Sequence, residues 1–570
     1  MILLLLCLAL LGGCAARPAK NEAPPDSGDI ISDAVTPVQD TDVRSFGLAY
    51  QTEFGLNPYQ CTSLTNRTIA SLLYESLFIV TSGFEVEPVL CEYYDVSEDM
   101  QQYTVHLVPG VQFCDGTRLT SRDVKASFEA AQDSPVYGQR FYSLYTMETP
   151  DDSTIVFYTT VPYENLTLLL DIPIVQAGTV ESNTPMGTGP YRLVQERHSS
   201  TLVRNGYWWQ DPYDAAVSVA SISLVPTKTP TDVRDDFEYG DTGVVCTDPN
   251  SAAYMDYHGD HELWNCSTTI MDYIGFNVTE GLFCLPELRI ALTNIIDRQA
   301  IVTELYHGYA EAAILPASPL SPFYDRTLAA QYDYNPDKFI EAVRTDRAKG
   351  SEATFLVCSA DQKRVEAAEF IAREAEKYGI DLVVDAVNER TYLGRLFTGD
   401  FDLYLGEARL SPTFDLTPFF YSGGSLCYGH IGSSDLTAMV RDALENSGNY
   451  YNLHSTIMAN GMLCPVLFKS YAVYATRGAI TNMYPAIDNV FHTSNGRTLS
   501  DAILTAPEGT EEDGEEDKEG EAGEDGEEGG EGEETTEPEA GEDVWDETET
   551  WDETWDETET WDDFPSGEEG

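Results

Sequence analysis

The chain has 570 residues, 42% of them hydrophobic, and a formal net charge of −65. That length exceeds what one compact core covers, so two or more lobes are expected. The charge excludes nucleic acid as a partner, because a strongly acidic chain repels phosphates.

An apolar run from Ile2 to Leu11 opens the chain and ends in Leu11-Gly12-Gly13-Cys14. It is too short to cross a bilayer, which takes about 20 residues, and small residues ahead of a cysteine suit cleavage of an export signal. The segment resembles a bacterial lipobox, in which the cysteine is diacylated and becomes the first mature residue, here Cys14. It departs from that pattern in carrying no Lys or Arg between Met1 and the apolar run, and an ordinary cleaved signal with an incidental cysteine is the alternative. Residues 1–13 thus read as a signal and 14–40, which lack periodicity, as a flexible tether.

Phe46–Tyr50 reads as a first strand, and Ile69, Leu72, Leu73 and Leu77 recur at helical spacing from Thr65 to Phe78. Tyr103–Val108 and Val111–Phe113 flank Pro109-Gly110 and predict a hairpin. Thr120 and Asp123 then form a helix start, the carboxylate favouring the positive helix end. Short strands follow at Ile155–Thr160, Tyr191–Gln195 (after the break Gly187-Thr188-Gly189-Pro190) and Ser221–Pro226. Pro286 suits a first helical turn, and Asp297 caps a second helix closed by Gly308. The strands Thr354–Cys358, Ile380–Val387 and Phe401–Leu405 alternate with helices at 363–378 and 390–398. That order implies a parallel sheet with right-handed crossovers. Strands near 465–492 return toward the first region.

From Glu508 onward the apolar pattern stops, and residues 508–570 hold 32 of the 97 acidic residues and one lysine. Trp545, Trp551, Trp555 and Trp561 repeat there in a Trp-Asp-Glu/Asp frame. Such charge density buries no core, so the tail is expected to be disordered. It reads as a solvated spacer, with docking of its tryptophans to a basic partner as the alternative.

Little in the chain is catalytic. There is no GxSxG, P-loop or HExxH pattern. His258 and His261 with Glu262 make a conceivable metal pair, but their setting reads as a surface loop, and neither metal nor cofactor is expected. Nine cysteines beyond Cys7 and Cys14 are odd in number and irregular in spacing, leaving bridges and small core residues both open. Glu407 and Arg409 lie past a predicted parallel strand, at the sheet edge where open α/β folds bind ligands. Glu407 suits a cationic amine and Arg409 a carboxylate, with mutual or surface pairing as the alternative. Asp415 follows in the same loop, and Tyr50 at the end of the first strand offers an aromatic wall.

Leu56-Asn57-Pro58, Leu73–Phe78, Gly110–Val124, Gly187–Val194, Ile274–Asn277, Leu288–Leu292 and Ile296–Ile301 resemble, in order, segments of the bacterial extracellular solute-binding proteins of family 5. These are the oligopeptide-, dipeptide- and nickel-binding components of ABC importers. The resemblance implies an α/β, two-lobed periplasmic-binding-protein-like fold with an extra subdomain. Lobe I would comprise 41–62, 185–270 and 476–507; the accessory subdomain, 63–184; and lobe II, 271–475. It implies no enzyme, but a lipid-anchored monomer on the extracytoplasmic face that delivers a small solute, an oligopeptide among the candidates, to permease subunits. Peptide-binding members carry a Gly-Trp-rich loop whose Asp receives the peptide amino group. The corresponding loop here, Gly406 to Asp415, lacks the aromatic and displaces the acid. A surface adhesin on the same scaffold and a solute sensor are the rival readings.

Overall fold

Residues 46–210, 220–248, 257–258, 261–343, 350–477, 480–481, 485–491 and 503–504 are described by the computed structural model of the chain. The signal, Cys14, the tether and the acidic tail lie outside them. In chain order the strands are β1 (Phe46–Tyr50), β2 (Phe78–Val80), β3 (Val86–Pro88), β4 (Cys91–Val96), β5 (Gln102–Leu107), β6 (Leu144–Asp151), β7 (Thr154–Thr159), β8 (Tyr191–Gln195) and β9 (Ser200–Arg204). There follow β10 (Ser221–Pro226), β11 (Thr242–Thr247), β12 (His261–Phe276), β13 (Ala310–Ala312), β14 (Ser351–Cys358), β15 (Ile380–Val387), β16 (Leu403–Arg409) and β17 (Cys464–Thr476).

Among the described residues, eleven strands form one mixed sheet in the order β15-β14-β16-β12-β17-β11-β1-β10-β9-β8, with β13 added on β17. Its two ends are different structures. At one end β14 pairs in parallel with β15 and β16, the crossover arrangement expected from the β-α-β-α-β order. At the other, β1 lies parallel between β10 and β11. Only β12 and β17 run through both. Residues 261–267 of β12 pair with 470–476, whose Val244–Thr247 partners lie in β11, whereas 270–276 pair with β16. The β12–β17 register shifts between Ser267 and Met271, where the ladder passes from one half to the other.

A separate antiparallel sheet, β4-β5-β7-β6, carries the helix Ser121–Gln132. Alternation along β5 buries Tyr103, Val105 and Leu107. Phe128 of the helix meets Phe157 edge-on, with ring centroids 4.8 Å apart. Asp123 closes the helix start as expected, its Oδ2 accepting from the Thr120 amide at 2.8 Å.

Two local expectations change. The helix from Thr65 ends at Ala70: the amides of Leu72 and Leu73 bond three residues back, to Ile69 and Ala70, and the carbonyls of Leu72 and Leu73 accept from the distant amides of Tyr191 and Gly189. The hairpin around Pro109-Gly110 does not form. β5 pairs instead with β4 and β7, whereas Gln112 makes only an isolated bridge to Arg118. All nine cysteines among the described residues are free thiols, and six of them are buried.

One buried side chain gives the fold an acid-sensitive point. His454, on the helix Tyr450–Ala459, is fully buried, with neither ring nitrogen hydrogen-bonded. Burial pushes its imidazole down to about 3, opposed in part by the charge of Asp325. Because the folded value lies below the unfolded one, the unfolded chain takes up the proton first as pH falls, and stability is lost from about pH 6.5 downward. At pH 5 this single group costs about 2 kcal/mol. His454→Leu is therefore expected to reduce the fall in melting temperature between pH 7.5 and 5.0. An equal fall in both proteins would contradict this.

Candidate functional site

β16 runs on to Arg409 because β12 supplies an antiparallel ladder opposite it, from Ile270↔Arg409 to Phe276↔Leu403. Glu407 and Arg409 are thus strand residues, not residues of a loop past the strand end. Two apart, they share one face. Glu407 accepts from Lys469 Nζ at 2.7 Å and from Arg364 Nη2 at 3.3 Å. Lys469 is fully buried and also reaches Asp361 at 3.0 Å and Asp272 at 3.4 Å. Burial works against its charge, yet the carboxylates around it hold the ammonium well above its ordinary range. Arg364 adds a two-nitrogen grip on Asp361, at 3.0 and 2.9 Å.

The facing wall comes from the short helix Leu64–Ala70, which is pinned to the end of β1. Asn66 Nδ2 donates to the carbonyls of Gln51 and Gly55, each at 2.7 Å, and Asn66 Oδ1 accepts from the Gln51 amide at 2.9 Å. The next residue, Arg67, is partly buried and makes no hydrogen bond or ion pair through its side chain with any described residue. Arg67 lines a cleft of about 400 Å³ together with Arg140, Glu407, Arg409 and Asp415. It also lines a smaller cavity of about 80 Å³ with Tyr137, Asp171 and Asp488. The other two arginines are matched: Arg140 pairs with Asp171 at 2.6 Å, and Arg409 Nη1 donates to both Asp488 oxygens at 2.7 Å. Arg409 also donates to the Tyr471 hydroxyl at 2.6 Å. Burial pushes the Asp415 carboxyl up, against an accepted hydrogen bond from the Thr417 amide at 2.8 Å.

The fold therefore brings Glu407, Arg409 and Asp415 to one cleft. It leaves Tyr50 in the core, 4% exposed and outside the residues that line the cleft. The sequence reading missed Arg67, Arg140, Lys469, Asp272 and Arg364. Two of these carried a usable signal: Lys469 and Asp272 are single charges inside the apolar runs Val466–Phe468 to Tyr471–Val473 and Ile270–Met271 to Tyr273–Ile274.

The pattern of the bacterial extracellular solute-binding proteins, family 5 Middle, matches residues 85–426, more than half of the chain. The glutathione-binding protein GsiB of Salmonella typhi is 28% identical over 314 residues, 50% of this chain and 60% of that protein. Its counterpart in Pectobacterium atrosepticum is 25% identical over 351 residues, 58% of this chain and 67% of that protein. Among solved structures, the ABC transporter substrate binding protein CtaP of Listeria monocytogenes has a TM-score of 0.67 at 18% identity, covering 81% of this chain and 99% of its own. NikA of Brucella suis, in complex with Fe(III)-EDTA, has a TM-score of 0.65 at 15% identity, covering 81% and 100%. The mixed α/β architecture matches that of two-lobed periplasmic-binding proteins, and the chain belongs to the bacterial extracellular solute-binding proteins of family 5.

Proposed function

We propose that this solute-binding protein captures a small solute bearing opposite charges between its lobes and hands it to the permease subunits of an ABC importer. The observation that carries this reading is Arg67, a guanidinium on the cleft wall without a bonding partner among the described residues. A partly desolvated cation of this kind favours an anionic group, which a guanidinium holds through two parallel hydrogen bonds. Glu407 and Asp415 on the other wall suit an ammonium or a hydrogen-bond donor. A cleft of about 400 Å³ is in the range of small-molecule sites, roughly 300–1,000 Å³, and has room for a solute of short-peptide size. Arg409, tied to Asp488 and Tyr471, would shape the anion side without serving as its main anchor.

The same proposal has the chain held at the extracytoplasmic face by a diacylated Cys14, with residues 14–40 joining anchor to lobes and the protein acting as a monomer. Two acyl chains give stable anchoring where one gives marginal binding.

Mass spectrometry of small molecules released from the purified chain identifies the solute, and calorimetric titration of that solute measures its affinity. Arg67→Ala and Glu407→Ala are each expected to weaken binding at least about tenfold, roughly 1.4 kcal/mol, with little change in melting temperature for Arg67→Ala. Arg409→Ala is expected to destabilise the fold by about 3 kcal/mol, because Asp488 loses its partner in a buried setting. A second substitution, Asp488→Ala, should recover much of that loss. Wild-type affinity in both cleft variants would place the solute elsewhere. For the anchor, metabolic labelling with a palmitate analogue is expected to mark the protein and to fail in Cys14→Ser. Labelling that survives the substitution contradicts the lipoprotein reading.

A further inference from the structure

The turn that carries Asp415 to the cleft is held from behind, by residues that do not line it. Ser411 and Asp415 line the cleft, whereas Thr413 and Phe414 between them are buried. Phe414 turns the chain at a φ of 53°, a left-handed conformation that a bulky residue keeps only where its surroundings enforce it. Its ring packs on Phe84 with centroids 5.0 Å apart and on Phe468 at 5.7 Å. Phe84, between β2 and β3, is itself at a φ of 60°.

A line of hydroxyls runs through the same turn. The Tyr163 hydroxyl is hydrogen-bonded to Thr413 Oγ1 at 2.8 Å, and Thr413 Oγ1 to Ser411 Oγ at 2.9 Å. Ser411 Oγ then accepts from the Asp415 amide at 3.2 Å. Tyr163 follows β7 of the separate antiparallel sheet and is 2% exposed. Its amide donates to the Met100 carbonyl at 3.0 Å, and the Tyr103 hydroxyl on β5 donates to the Glu164 carbonyl at 2.8 Å. Glu164 is tied on its other side as well: its carboxylate accepts from the Ser447 amide at 2.6 Å, and its amide donates to the Leu444 carbonyl at 2.9 Å. Tyr163 is therefore a fixed post. Burial, with the Asp415 charge nearby, pushes its phenol well above the ordinary range, so it stays a neutral hydroxyl.

We propose that Tyr163 is a positioning residue for solute binding: acting through the hydroxyls of Thr413 and Ser411, it fixes the turn at Phe414 and so aims the Asp415 carboxylate at an ammonium group of the solute. This inference rests on the solute-binding reading above. It adds a residue outside the cleft, on a sheet that otherwise serves as scaffold, which sets how well the cleft distinguishes an ammonium from a neutral group. Without the Tyr163 hydroxyl the left-handed turn has fewer constraints against relaxing, and the residue displaced first is the one after Phe414, which is Asp415.

The test uses the full chain, stripped of endogenous solute, and two probes: trialanine, and N-acetyl-trialanine, which lacks the ammonium. In calorimetric titration, Asp415→Asn is expected to weaken trialanine binding about tenfold. Tyr163→Phe and Thr413→Val, each removing one hydroxyl of the line, are expected to weaken it about threefold. Thr413→Ser keeps the hydroxyl and should retain wild-type affinity. Combined with Asp415→Asn, Tyr163→Phe should cause no further loss, because the two act as one unit. Binding of N-acetyl-trialanine should be unchanged throughout, and amide exchange should quicken in Tyr163→Phe over residues 411–417. Wild-type trialanine affinity in Tyr163→Phe and Thr413→Val, additive losses in the double variant, an equal loss for both probes, or a loss in Thr413→Ser as large as in Thr413→Val overturns the assignment of Tyr163 and leaves the solute-binding reading intact. Heat from neither probe with the wild-type chain overturns both.

Discussion

The ammonium of Lys469 has no contact with solvent, and the strand that carries it is buried from Cys464 to Ala475. An unpaired charge there would cost several kcal/mol, so the chain must deliver counter-charges to that point. It does so from three elements, with Asp272 on β12, Glu407 on β16 and Asp361 as the cap of the helix Gln362–Lys377. Meeting one ammonium constrains β12, β16 and the helix relative to β17. Glu407 is one of these three, so the wall of the cleft is set by the same constraint that allows a lysine in the core.

β12 and β17 are also the strands that run through both halves of the large sheet, and the shift in their register lies between Ser267 and Met271, next to Asp272. The backbone there is held by other means: the Thr268 hydroxyl donates to the Lys469 carbonyl at 2.6 Å, and the Asp488 amide donates to the Ser267 carbonyl at 3.0 Å. Asp488 in turn grips Arg409. Closure of two lobes about the segments that join them is a common transition on solute binding. In this chain those segments contact the charged groups of the cleft directly, so the state of the cleft and the geometry of the joint are physically connected.

Much of this fold was legible in the sequence, for identifiable reasons. Ser221–Pro226 is an apolar run bounded by turn residues and Ile380–Val387 a β-branched segment after Gly379, and both are strands over those limits. Asp297 caps its helix through the Ala300 amide, and Pro286 begins another, because cap chemistry is local. Leu72 and Leu73 misled because their helical spacing is overridden by hydrogen bonds to residues more than a hundred positions away. The site divides in the same way. Glu407, Arg409 and Asp415 were found because they follow a recognisable crossover pattern. Arg67 was not, since its meaning depends on what stands across the cleft. Tyr50 ends a strand as expected but points into the core, which strand position alone does not decide.

The central claim is that the Arg67 guanidinium on one wall and the Glu407 carboxylate on the other decide where and how a solute is held. The most direct measurement is a crystal structure of the full chain purified with its endogenous solute. The account predicts difference density spanning from the Arg67 guanidinium to the Glu407 carboxylate, with an anionic group at the first and a cationic group at the second. Solute density confined to the separate cavity lined by Phe397, Tyr428, His430 and Gly432, with Arg67 still unengaged, would contradict it.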